Sequence, residues 1–232
     1  MAKSSEKQTS RQKRKKREQK QRRTDIVQAA ERLFITQGFN QTMMDQIAEE
    51  AGFSKATIYK YFGSKNDLYL AVAAIAFEKL TQVIEETLKQ PDTEFEIKSL
   101  ASAFNTFIRE YSSYAEIIDD VFLRAALAEI IQKEQTNQQL TESEMEFRTQ
   151  QMKSLGLLTQ VITSTMTKIG TQTKLEPQTI AVALSNITTG LLTELIYRER
   201  LVNQSKKETE DYLLIIFEIL DKGLKNLNRE DR

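Results

Sequence analysis

The residues most suited to chemistry lie in one short stretch, 54–65, which combines hydroxyls, ammonium groups and phenol rings. Hydroxyl and ammonium groups donate hydrogen bonds to phosphate oxygens, and lysine also reaches the acceptor atoms of guanine in a major groove. Free backbone N–H groups where helices begin, near Thr42, Ser54 and Ser64-Lys65, suit phosphate oxygens as well. The pattern therefore indicates binding to a nucleic acid. The side chains concerned are Ser54, Lys55, Thr57, Tyr59, Lys60, Tyr61 and Lys65.

Catalytic and metal chemistry find little support in the composition. The chain contains neither cysteine nor histidine, which excludes a thiol nucleophile and a thiolate metal site and removes the commonest general base. Carboxylate pairs such as Asp119-Asp120 point in different directions on a helix, so a hydrolase or transferase is disfavoured. We therefore predict that the protein is not an enzyme and has no metal site and no cofactor.

Charge is distributed unevenly along the chain. Residues 1–65 contain 15 Lys/Arg and 7 Asp/Glu, a local charge of +8, whereas residues 66–232 carry 18 Lys/Arg and 26 Asp/Glu, a charge of −8. Nine of the thirteen residues in 11–23 are basic. Residues 1–23 cannot bury a core, so we expect a basic flexible arm that becomes helical on a polyanion.

The arm has three interpretations. Along DNA, Arg22 and Arg23 would contact the backbone, or the arm would enter a minor groove. A solvated tail is the second interpretation. The third is an anionic membrane surface, which is disfavoured because no Trp, Phe or Leu is interleaved with the charges.

Helices must position these groups, because only 7 Gly and 2 Pro are available for turns. Apolar spacing from Thr24 predicts a first helix that ends at Gly38. We expect Thr42 to cap a second helix, which Gly52 ends, and Ser54 to cap a third that runs to Tyr61. The third helix turns its apolar residues Ile58 and Phe62 inward, which leaves its polar side chains open. The second and third helices, joined by a short turn, make a helix-turn-helix.

Residues 29–72 closely resemble the DNA-binding domain of the TetR family of regulators. The matching positions are Ala30, Leu33-Phe34, Gly38-Phe39, Thr42, Ile47-Ala48, Ala51-Gly52, Ser54, Ile58-Tyr59, Tyr61-Phe62, Ser64-Lys65 and Leu68. The resemblance implies backbone contacts for Thr42, Thr57, Tyr59, Tyr61 and Lys65, and base contacts for Lys55, Ala56 and Lys60. Asp45 departs from the family pattern, and no DNA contact is predicted for it because an acid repels phosphate.

The resemblance also implies the architecture: an all-α protein with a three-helix DNA-binding domain at 24–70 and a larger helical effector-binding and dimerisation domain at 71–232. Helical periodicity predicts the helices of the second domain at about 66–90, 94–113, 114–132, 142–169, 177–200 and 207–227. Pro91 would end the first of these, and Pro177 would begin the fifth.

Self-association is predicted from two helices near the C-terminus. Residues 212–217 are apolar all round, and a stripe of apolar residues follows 177–200. Apolarity on every side indicates burial against both the same subunit and a partner, although a fully internal helix of a larger monomer has the same pattern. The predicted homodimer residues are Ile180, Leu184, Ile187, Leu191, Leu195, Leu213, Ile216, Phe217 and Leu220.

In the TetR family the middle helices enclose an inducer pocket, and these helices are rich in aromatic residues here. The candidate pocket residues are Phe104, Phe107, Tyr111, Phe122 and Met152. For any single residue of this set, ordinary core packing is the favoured interpretation. Without His or Cys, a small organic effector is expected rather than a transition metal.

Together these features predict a cytoplasmic repressor that is released from a near-palindromic double-stranded DNA operator, with no membrane partner.

Overall fold

The computed structural model describes residues 2–89, 97–170, 174–201 and 206–226, and every regular element in these ranges is an α-helix. The all-α prediction is confirmed. The helices are α1 (Ala2–Gln41), α2 (Met44–Ala51), α3 (Lys55–Tyr61), α4 (Lys65–Leu88), α5 (Ile97–Glu110), α6 (Ser112–Asp119), α7 (Val121–Gln135), α8 (Glu142–Lys168), α9 (Pro177–Leu201) and α10 (Lys206–Asn226). None of the helices in the described residues is long and apolar enough to cross a bilayer.

The chain divides into two compact units, Met1–Val72 and Ala73–Arg232. The division falls close to the predicted boundary after Leu70. Unit 1 contains the long helix α1, the short helices α2 and α3 of the predicted helix-turn-helix, and the start of α4. Its core consists of fully buried side chains from all four helices, since these are the positions that the sequence spacing turns inward. The core residues include Ile26, Phe34, Ile47, Ile58, Phe62 and Leu68.

Helix α1 is longer than the sequence predicted. Residues 2–23 are helical and continue directly into the packed part of α1, instead of forming an irregular arm. The physical reason is that Lys, Arg, Gln and Glu are good helix formers, and extending an existing helix avoids the cost of nucleation. The side chains of residues 11–22 are exposed. Gly38 interrupts the helix with non-helical angles (φ 79°, ψ 165°), in agreement with the predicted stop there.

Unit 2 is built from the remaining helices, with α8 packed along α9 and α10 packed along α5. Phe104 of α5 stacks on Phe217 of α10 with ring centroids 5.9 Å apart. A partly buried ion pair joins α7 to α8. In this pair, Lys133 Nζ lies 2.6 Å from Glu144 Oε1. The same carboxylate accepts a hydrogen bond from Thr141 N at 2.9 Å, so it caps α8 and holds the α7–α8 turn together.

One predicted helix of unit 2 is wrong. The sequence predicted a continuous helix at 114–132, but the structure has α6 ending at Asp119 and α7 beginning at Val121. Asp120 adopts an extended ψ of 127°, and its carbonyl accepts a hydrogen bond from Leu123 N at 2.9 Å. Aspartate is a poor interior residue of a helix and a good first cap, because its side chain competes for backbone donors. Pro91 lies outside the described residues.

Candidate nucleic-acid interface

The third helix of unit 1 is fixed by local hydrogen bonds at its two ends. Ser54 Oγ accepts a hydrogen bond from Thr57 N at 3.2 Å, which is the cap that the sequence predicted. Before it, Gly52 closes α2 in the left-handed region, with φ 71° and ψ 29°. Ile58 and Phe62 are fully buried. The orientation of α3 is therefore set by its cap and by two core anchors, as a recognition element requires.

This orientation leaves one face of α3 open. Lys55, Ala56 and Lys60 are exposed together with the Ser54 cap, and Tyr59 keeps 47% of its surface. Thr57 and Tyr61 are half-buried. All three predicted base readers thus lie on the exposed face, with hydroxyl groups beside them. Such a face offers donors to base edges and to phosphates without any rearrangement of the core.

Lys65, predicted to contact phosphate, already has partners in unit 1. Its Nζ donates to the carbonyl oxygens of Phe39 (2.8 Å) and Thr42 (3.0 Å), and it lies 4.2 Å from the centroid of the Phe39 ring. The ammonium group therefore ties the start of α4 to the turn that precedes α2. Since an ammonium has three N–H donors, a phosphate contact and this role are compatible.

Thr42 does not cap α2, so that prediction is wrong. The cap residue is Met43, whose N–H donates to Gln46 Oε1 at 2.8 Å. Thr42 is only 1% exposed, because its hydroxyl turns back to donate to the Gly38 carbonyl at 2.8 Å. Gln37 completes the network by donating to the Thr42 hydroxyl and to Gln46 Oε1. The buried Thr42 side chain therefore stabilises the turn between α1 and α2.

The two arginines at the end of the basic arm differ in environment. Arg22 is exposed. Arg23 is half-buried, and its guanidinium lies 4.9 Å from the centroid of the Phe62 ring. A cation over an aromatic face is a favourable contact. Arg23 therefore packs against the residue that follows α3, and it links the basic arm to that helix.

Sequence reasoning missed the arrangement around Asp45. Its Oδ2 lies 2.9 Å from Lys55 Nζ, and both side chains are exposed. The hydrogen bond to the Asp45 carboxylate, together with its negative charge, raises the pKa of Lys55 above the ordinary value of 10.5. The pairing follows from the fold, since the helix-turn-helix brings the first turns of α2 and α3 together.

The predicted effector residues are scattered over unit 2. A cavity of about 20 Å³ is lined by residues of five helices, and of the predicted residues only Phe104 is among them. Phe107 is fully buried, Tyr111 half-buried and Met152 38% exposed. The side chain of Phe122 lies outside the described residues. The lining comprises Phe77, Leu80, Phe104, Ile118, Gln151, Ser154, Leu155, Leu158, Ser185, Thr188 and Thr189.

The predicted dimer residues fall into two groups. Leu184 and Phe217 are buried within unit 2, so they have little surface left for a partner. Ile187 is 44% exposed, while Ile180, Leu191, Ile216 and Leu220 are half-buried. The side chains of Leu195 and Leu213 lie outside the described residues. Helices α9 and α10 also expose apolar residues that were not predicted to lie in the dimer interface. These residues are Val182 (41%), Leu214 (54%), Ile215 (54%) and Ile219 (62%).

Comparison with known proteins finds similar sequences among bacterial transcriptional regulators. Residues 26–72 match the family of bacterial regulatory proteins, tetR family. The chain is 32% identical over 99 residues to the HTH-type transcriptional activator FasR of Mycolicibacterium smegmatis, covering 42% of this chain and 45% of that protein. It is 25% identical over 117 residues to the HTH-type transcriptional repressor AcnR of Corynebacterium diphtheriae, covering 44% and 62%. The chain thus spans about half the length of these relatives.

Among solved structures, the fatty acid degradation regulator FadR from Bacillus halodurans superposes with a TM-score of 0.56 at 18% identity, covering 87% of this chain and 97% of that one. This likeness shows the fold, including the helical C-terminal part. In the described residues of the present chain, no three His, Cys, Asp or Glu side chains come together as metal ligands.

Proposed function

We propose that this chain, a helix-turn-helix transcriptional regulator of the tetR family, binds a near-palindromic DNA operator as a homodimer and represses transcription until a small organic effector releases it. The observation that carries the proposal is the exposed face of α3. There, Lys55, Tyr59 and Lys60 project from a helix whose inner side is fixed by Ile58 and Phe62. A rigid helix with donors on its open face is suited to a major groove.

The dimer is supported by the apolar residues that α9 and α10 leave uncovered. Leu214, Ile215 and Ile219 each expose more than half of their surface, and Ile215 and Ile219 are neighbours one turn apart on α10. Burial of these side chains against a second copy would remove them from water. Such burial favours association, because removal of apolar surface from water is the main source of association free energy. A two-fold dimer presents two copies of α3, which is why the operator is expected to be a near-palindrome.

The effector is proposed to be uncharged. Six of the cavity-lining residues are apolar, and the other five carry only hydroxyl or amide groups. A charged ligand would lose its hydration there without gaining a counter-charge, which is costly. The cavity, about 20 Å³, has room for about one water molecule. An organic effector must therefore push the five helices apart, which provides a physical link between binding and a change of shape.

Repression is the simpler mode of action for this architecture. A dimer that occupies an operator excludes other proteins from the same DNA without any further contact, whereas activation requires a surface for the transcription machinery. Relatives of both kinds exist, since FasR is named an activator and AcnR a repressor.

DNA recognition can be tested by selecting sites from a random duplex library and measuring affinity for the selected operator and for random duplex. We expect Tyr59→Ala to weaken both affinities, because its proposed partners are phosphates. Lys60→Ala should reduce the difference in binding free energy between operator and random duplex by about 1–3 kcal/mol if Lys60 binds guanine. Lys168→Ala, an exposed lysine of α8, is the matched control and should change neither. Tighter binding to anionic liposomes than to any duplex would contradict the proposal.

The effector chemistry can be tested with decanamide and decanoate, which share an alkyl chain and differ in charge. We expect decanamide to raise the melting temperature and decanoate to have a much smaller effect. Thr188→Val should weaken decanamide binding about 2- to 12-fold, because it removes one hydrogen-bonding hydroxyl. Thr165→Val is the control: both hydroxyls are buried and donate to the carbonyl four residues back, but Thr165 does not line the cavity. Equal binding of decanoate would refute an uncharged effector.

A further inference from the structure

The ion pair between Asp45 and Lys55 lies where the candidate DNA-binding face of α3 begins. The two groups lie 2.9 Å apart, and their side chains are 65% and 51% exposed. Asp45 belongs to the first turn of α2, and Lys55 is the first residue of α3. Exposed ion pairs of this kind contribute little to folding. An acid in the first turn of a helix adds only a little stability, so stability gives only a weak reason for an acid at this position.

On a DNA-binding face an acid has a definite cost. A carboxylate near the phosphate backbone repels it, and by pairing with Lys55 it also occupies a cation that would otherwise neutralise a phosphate. Both effects lower affinity for DNA of any sequence. Binding to base edges is different, because the major-groove edge of a G·C pair presents acceptors on guanine beside the amino donor of cytosine. A lysine and an aspartate held side by side match that pattern.

We propose that Asp45 is a specificity-determining residue: it withholds Lys55 from phosphates, and the pair reads one G·C base pair, with Lys55 donating to guanine and Asp45 accepting from the cytosine amine. The proposal rests on the DNA-binding function proposed above. It also accounts for the departure of Asp45 from the family pattern, since the repulsion from phosphate is here a means of discriminating against random DNA.

A second ion pair in the same unit provides a matched control. Arg32 Nε lies 2.8 Å from Glu50 Oε1, with side chains 56% and 42% exposed, and it joins α1 to α2. Asp45→Asn and Glu50→Gln each remove one negative charge from α2 and one exposed ion pair. The two variants therefore share their effect on net charge and differ in which cation they release.

The experiment is site selection from a random duplex library, followed by titration of the selected operator and of random duplex at several salt concentrations. For Asp45→Asn we expect one G·C position of the half-site to become degenerate and discrimination there to fall about 5- to 150-fold. Affinity for random duplex should rise, and its salt slope should steepen by about 0.9 because Lys55 gains a phosphate. Glu50→Gln should leave the selected sequence unchanged.

Equal shifts in the two variants with the same selected sequence would overturn the proposal, because they would show an effect of net charge alone. The double variant Asp45→Lys with Lys55→Asp restores an ion pair with its polarity reversed. Recovery of the original base preference in that variant would also overturn the proposal, since the pair would then act only through folding. A wild-type chain that enriches no sequence would contradict the DNA-binding function itself, and this proposal with it.

Discussion

The exposed faces of α3 and α10 differ in the chemistry that they offer to a partner. On α3, the open positions hold Lys55, Tyr59 and Lys60, and the apolar residues face inward. On α10, Phe217 faces inward, but Leu214, Ile215 and Ile219 are also left exposed. Both helices have an apolar inner side that anchors them. The difference lies in the outer side, which carries donors and charge on α3, whereas on α10 three large hydrocarbon side chains lie exposed beside the Glu218–Lys222 ion pair.

That difference determines which partner each face can bind. Donors and cations gain free energy from a polyanion, where displaced counterions add to the binding. Hydrocarbon gains only from another apolar surface, because water must be excluded from both. The comparison therefore predicts separable losses, with substitutions on α10 acting on assembly and substitutions in unit 1 acting on DNA.

The largest effect is expected from Ile215→Arg on α10. Ile215 is 54% exposed, so a single chain should tolerate the arginine, whereas a dimer would have to bury its charge without a partner. Sedimentation should give the mass of one chain, and operator affinity should fall more than about 100-fold because the two half-sites no longer act together. Met145→Arg, on a residue of α8 that is 50% exposed, should leave the dimer intact. A dimer that survives Ile215→Arg would place the interface elsewhere.

Removal of the basic arm should give the next largest effect. If the arm meets about four phosphates, deleting residues 1–22 should flatten the salt slope of operator binding by about 3–4 units. The protein should stay folded and dimeric, because the side chains of residues 11–22 are all exposed. Arg14→Gln, at a side chain 83% exposed, should flatten the slope by no more than about 0.9. Parallel slopes for the full and truncated chains would favour the solvated-tail interpretation.

A smaller effect separates support from contact within unit 1. Lys65→Met should lower the free energy of unfolding by about 1–3 kcal/mol, because it removes two charge-assisted hydrogen bonds and a cation–π contact. Those bonds reach the Phe39 and Thr42 carbonyls. Lys60→Met, on the exposed face of α3, should leave stability unchanged and affect only DNA binding. Urea unfolding of both variants measures the difference, and equal stability would mean that Lys65 acts solely as a DNA ligand.

The features that could be predicted from the sequence are those decided within a few residues. Ser54 caps α3, Gly52 closes α2 and Pro177 begins α9 as expected, because cap and turn chemistry depends on local backbone donors and acceptors. Ile58 and Phe62 are buried as predicted, because their spacing follows the helical period.

The features that could not be predicted depend on groups far apart in the chain. Lys65 meets a carbonyl 26 residues away, and Lys55 meets an acid ten residues away on another helix. Thr42 was expected to serve as a cap, but its hydroxyl had a competing acceptor in the Gly38 carbonyl. Tertiary packing decides between hydrogen bonds of nearly equal energy, and the periodicity of the sequence carries no information about that packing.

The backbone at Gly38 has a stereochemical consequence for the tolerance of unit 1 to substitution. A Cβ added at Gly38 or at Gly52 would meet no atom within 4 Å, so neither glycine is required for space. At Gly52, φ 71° with ψ 29° is a region that asparagine also visits, whereas φ 79° with ψ 165° at Gly38 is open essentially to glycine alone. Handedness, and not space, is therefore what opposes an L-side chain at Gly38, where every natural L-residue other than glycine is strained.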